Sequence, residues 1–164
     1  MNEKAIEAAA KTIPALIEKL SGLKGPDRRA DASIARMFDL PLCAEPNCLP
    51  HVFNIILDRV EAGAEDDDVR RYTASLDAVI ALIERELPGW AWKVGTCSVS
   101  DDAWLVPDFN SPEHGERLRN ELGYATMRAG DVFDVGIDID LRPSGRPAIA
   151  LLIAFLEAKM EIEE

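Results

Sequence analysis

The chain has 164 residues, 48% of them hydrophobic, a formal net charge of −12 and three cysteines. That length fits one domain with a core of its own, an odd cysteine count argues against a disulfide framework, and the negative charge repels nucleic-acid phosphates and anionic membrane surfaces. No apolar run approaches bilayer-spanning length and no secretory signal pattern opens the chain, so no membrane association and a cytoplasmic location are expected.

The first 20 residues carry Ile6, Ile13, Leu16, Ile17 and Leu20 at helical spacing. Pro14 kinks that pattern or begins a second helix, with Thr12 as its cap. Gly22 and Gly25 break it. Pro26 suits the first turn of the next helix, which buries Ala30, Ile34, Met37 and Phe38 and ends before Pro41. Residues 41–50, PLCAEPNCLP, read as a proline-rich loop. A third helix then runs from about Pro50 to Ala62, with Phe53, Ile56 and Val60 on one face and Gly63 as its breaker. AEDDD (64–68) reads as a solvated connector and as the best candidate boundary.

Beyond it, Thr73 and Ser75 both suit a helix N-cap, and Asp77 complements the dipole. Leu76, Val79, Ile80, Ile83 and Leu87 share one helical face, and Pro88-Gly89 stops the helix. Trp90, Trp92 and Val94 alternate with Ala91, Lys93 and Gly95 as in a strand. A hairpin partner is expected at 103–106, ended by Pro107. Ser111-Pro112-Glu113 caps a short helix that stops at Gly123. A strand near 124–128 and a turn at 129–131 follow. Phe133, Val135, Ile137, Ile139 and Leu141 then alternate with polar residues or glycine, the pattern of a strand with one face in a core. Pro147 opens a final helix whose apolar run, residues 148–156, implies cover on most sides. The expected architecture is α+β: an N-terminal helical layer (1–64) packed on a unit (69–164) of helix, three- to four-stranded antiparallel sheet and C-terminal helix, together one compact body.

Three segments, GPDRRADASIARMF, YTASLDAVIALIE…PGWAWKVG and GRPAIALLIAFLEAKM, resemble small uncharacterised phage and prophage proteins of alphaproteobacteria. The layout of the second half is similar to phage α-β-α sandwich proteins. The resemblance marks caps, turns and core positions over about half the chain and carries no catalytic residues. It implies a mobile-element setting rather than a chemistry; with the acidic charge and the lack of a catalytic set, it leads to the expectation of a host or phage protein as partner.

Four candidate chemistries stand against bland alternatives. Cys43, Cys48 and His51, completed by Cys97 or His114, could hold zinc, but the spacing is not a common one and two reduced thiols in a loop explain it. Asp134, Asp138 and Asp140 fall on one strand face and could hold Mg²⁺ or Mn²⁺ for hydrolysis, yet a half-buried strand needs a polar face in any case. His114 beside Asp108 and Glu113 lacks a nucleophile. Trp90, Trp92 and Trp104 could stack bases, without the positive charge to track a backbone. The expected role is therefore non-enzymatic and cofactor-free: an interaction protein, possible as a homodimer through the last helix, without direct nucleic-acid binding. It would offer Glu65, Asp66, Asp67 and Asp68, or Asp134, Asp138 and Asp140, to a basic groove, as an anti-CRISPR-like inhibitor of a host defence complex does. A metal-dependent hydrolase or nuclease on the acidic strand face is the alternative.

Overall fold

The computed structural model describes residues 12–39, 50–96, 101–122, 135–138 and 147–163. In chain order these form α1 (Ile13–Ser21), α2 (Arg28–Phe38), α3 (Pro50–Glu61), α4 (Leu76–Glu86), β1 (Trp90–Thr96), β2 (Asp101–Pro107), α5 (Gly115–Glu121), β3 (Val135–Asp138) and α6 (Pro147–Glu163). The architecture is α+β with an antiparallel sheet. The expected strand near 124–128 lies outside the described residues.

α6 is the centre of the molecule. Ala148 to Leu156 are all buried, and α1, α4 and the sheet pack around the helix. Its even hydrophobicity is thus satisfied within the chain, and this run offers no face to a second copy. Phe155 meets Phe38 edge to face, with centroids 5.2 Å apart and planes at 61°, which ties α2 to the same core. One hydrophobic cluster runs from Leu16 to Ala158, through the helices before the acidic connector and the α/β unit after it.

The helix boundaries follow local chemistry. Thr12 holds the extended N-cap position of α1, and Pro14 sits in the first turn, where its missing N–H costs no helical bond. Pro26 falls two residues before α2, not in its first turn. Asp27 is the N-cap, its carboxylate accepting the Ala30 N–H at 2.8 Å. α3 ends in a Schellman turn: Gly63 takes φ +101°, its N–H reaches the Val60 carbonyl and the Ala64 N–H reaches Arg59, both at 2.9 Å. The Ser75 hydroxyl caps α4 by accepting the Ala78 N–H at 3.2 Å. Ser111 accepts the His114 N–H at 3.2 Å, opening the turn that leads into α5.

β1 and β2 form a hairpin with Trp92 opposite Leu105 and Lys93 opposite Trp104. β3 pairs with the other side of β2, Asp138 opposite Asp102. Trp90, Ala103 and Leu105 are buried on the face toward α6. Gly89 makes the turn into β1 at φ +88°, and a Cβ there would stand 2.4 Å from the His114 Cβ, so the position needs glycine for both its backbone angle and its space.

Candidate functional site

The acidic connector is not a free linker. Its backbone is held by Arg28, in the first turn of α2. The Arg28 guanidinium donates to the carbonyls of Asp66 at 2.6 Å, Val69 at 3.0 Å and Arg70 at 3.4 Å. One terminal nitrogen also meets the Asp31 carboxylate at 3.0 Å, and Nε lies 3.6 Å from Glu65. Five rigid donors in a planar fork suit arginine to such a cradle, which a lysine could not reproduce.

Asp31 is the anchor of this arrangement. It is 1% exposed and falls one turn before Ile34 and Ala35, on the buried side of α2. Its other oxygen accepts the Thr73 N–H at 2.6 Å and the Thr73 hydroxyl at 2.8 Å. Thr73 also accepts the Asp27 N–H at 2.9 Å. Burial pushes the Asp31 carboxyl above its ordinary value, and the bonds from Thr73 and Arg28 pull it back without cancelling that effect. Thr73 is therefore no N-cap: Ser75 alone caps α4, and Thr73 closes the α2 start onto the connector. Beside it the Tyr72 hydroxyl donates to Asp39 at 2.6 Å. Arg85 donates to the other Asp39 oxygen at 3.0 Å and to the Phe38 carbonyl at 3.2 Å. Burial first, and then the Asp39 carboxylate, push the Tyr72 phenol well above its ordinary value.

What the loop shows to solvent is mixed in sign. The Glu65 side chain is 69% and the Asp67 side chain 97% exposed, and Asp68 is exposed as well. Asp66 turns its carboxylate back onto the Asp68 N–H at 3.0 Å. Arg71 reaches Glu65 at 3.2 Å and Asp67 at 3.4 Å, and Arg70 is exposed beside them. Four carboxylates thus share their neighbourhood with three guanidinium groups, a weaker field than the sequence run DDD implies.

The other candidates separate. Asp134, Asp140, Cys43, Cys48 and Cys97 lie outside the described residues. Asp138 is in β3, in register with Asp102. His51 is exposed in the first turn of α3. His114 packs on Gly89, with Glu113 3.9 Å from its Nε2, while Asp108 accepts the Asn110 N–H. The tryptophans form no platform: Trp90 and Trp92 stand opposite Pro107 and Leu105, whereas Trp104 projects from the other face, with the Lys93 ammonium 6.0 Å from its centroid. Among the described residues no three His, Cys, Asp or Glu side chains are placed to hold a metal ion, and no helix is long and apolar enough to cross a membrane. No family model, curated protein or solved structure matches the chain.

Sequence reading missed Arg28 and Asp31. A signal was present: Asp31 interrupts the apolar face Ala30, Ile34, Ala35, Phe38, and a carboxylate there must be paired.

Proposed function

We propose that this chain is a non-enzymatic interaction protein of phage or prophage origin, acting in the cytoplasm by binding a host or phage protein. An inhibitor of a host defence complex is the sharper form of this reading. The observation that carries it is the Arg28 cradle. It fixes the connector backbone before any partner arrives, so Glu65, Asp67 and Asp68 are displayed without an ordering cost at the moment of binding. The same reading takes the second half as an α-β-α sandwich with a sheet of three to four strands, as in the phage proteins it resembles. The intervening Arg70 and Arg71 favour a protein surface with basic and acidic groups over simple imitation of a phosphate backbone.

The test compares capture from bacterial lysate by the natural chain and by a Glu65→Gln, Asp67→Asn, Asp68→Asn variant, after nuclease treatment and at low salt. One protein retained by the first and lost by the second is expected, with retention falling as salt rises. Equal capture by both would remove the loop from the proposal.

A hydrolase on the acidic strand face keeps one point in its favour, the register of Asp102 with Asp138. Millimolar Mn²⁺ should then raise the melting temperature, and Asp138→Asn should abolish the rise. No rise in the natural chain would end that reading.

A further inference from the structure

Among the described residues β1 is an edge of the sheet, and its outer backbone row is open there. The Asp108 N–H donates to the Gly89 carbonyl at 2.9 Å, which begins the β1–β2 ladder. Antiparallel bonding alternates residue by residue, so the main-chain groups of Ala91, Lys93 and Gly95 face β2 and those of Trp92 and Val94 face outward. Pro107, opposite Trp90, has no N–H, and the Trp90 N–H goes to the Leu87 carbonyl at 3.1 Å, as that phase requires. The outward N–H and C=O of Trp92 and Val94 have no partner among the described residues. The Trp92 side chain, 37% exposed, stands at this edge.

We propose that β1 is a self-association edge, pairing antiparallel with β1 of a second copy to continue the sheet across two chains. Donors and acceptors at strand spacing are matched by another extended backbone and by little else. Charge selects the second copy. In a chain of net charge −12, most approaches between copies bring carboxylates together, but β1, WAWKVGT, contains none and carries a single charge, Lys93. The Lys93 ammonium is drawn over Trp104, away from the open row. Pairing that sets Lys93 against Lys93 of the other copy is disfavoured. A register shifted by two residues to either side, which keeps the outward groups paired, places the lysine opposite Ala91 or Gly95 and covers the exposed Trp92. This contact does not involve the acidic loop and stands or falls apart from it.

Sedimentation velocity of the full chain over a wide concentration range, in moderate salt to screen the net charge, tests the proposal. Reversible, concentration-dependent dimerisation is expected. Val94→Pro removes an N–H that no described residue uses, and Trp92→Lys adds a second charge to the edge. Each should leave the protein monomeric at concentrations where the natural chain is dimeric, with an unchanged circular-dichroism spectrum. Should Val94→Pro misfold, Trp92→Lys decides alone. A natural chain that stays monomeric throughout, or a folded Trp92→Lys that dimerises equally well, overturns the proposal.

Discussion

Thr73 shows how much one hydroxyl can organise. It receives the Asp27 N–H, donates to Asp31 and sits fully buried. Thr73→Ala strands the Asp27 N–H and takes one of three bonds from Asp31, and is expected to cost about 1–3 kcal/mol in urea unfolding; a loss within error would mean that water replaces the hydroxyl. Asp31 sets a pH dependence of definite sign. Its folded pKa lies above the unfolded one, so the folded state binds the extra proton between the two. The stability it contributes is complete below the ordinary aspartate value and is lost as pH rises through the raised one. Asp31→Asn, which does not titrate, should therefore destabilise more in acid than at neutrality, and the opposite trend would refute the assignment. Tyr72 behaves likewise at the other extreme. Its neutral phenol is favoured in the fold, so its contribution is complete below the ordinary tyrosine value and is lost as pH rises from there toward the raised value. Absorbance at 295 nm should record its ionisation together with alkaline unfolding, and Tyr72→Phe should delete that step.

At the scale of elements, two glycines with positive φ make different predictions. Gly63, at +101°, has open space around its missing side chain, whereas Gly89, at +88°, has His114 against it. Gly63→Ala should cost about 1–2 kcal/mol, the left-handed backbone penalty, and Gly89→Ala clearly more, because strain and steric overlap add. Thermal melts of the two variants would rank them, and equal losses would mean that His114 yields freely. These turns were legible in the sequence, as were the third helix, the Ser75 cap, the hairpin and the last helix. Each rests on local chemistry: glycine after an apolar run, a hydroxyl before one, alternation around tryptophan. The Arg28 cradle was not legible in that way, since its partners are carbonyls 38 to 42 residues away, and every residue has a carbonyl. The split of the tryptophans between two faces needed the cross-strand register, Lys93 opposite Trp104, which strand period alone does not give.

Across the whole molecule, the hydrophobic cluster joins helices before and after the connector around α6. Melts followed by tryptophan fluorescence, which reports β1 and β2, and by far-ultraviolet circular dichroism, dominated by the helices, should coincide. Separate transitions would show that α1 to α3 fold independently of the rest. Phe155→Ala, which empties a fully buried position and removes the ring contact with Phe38, is expected to cost about 3–5 kcal/mol.

Tyr72 and Thr73 are consecutive, yet one reaches Asp39 beyond the end of α2 and the other Asp27 before its start. The pair works as a ruler laid along that helix. Removing one residue from within α2 would shorten it by about 1.5 Å and turn its far end by about 100°, so Asp39 would no longer face the Tyr72 hydroxyl while Asp27 still met Thr73. Point substitutions on the exposed side of α2 leave this gauge untouched. Insertions and deletions do not, and the length of α2 should be the quantity that variation in this protein respects most strictly.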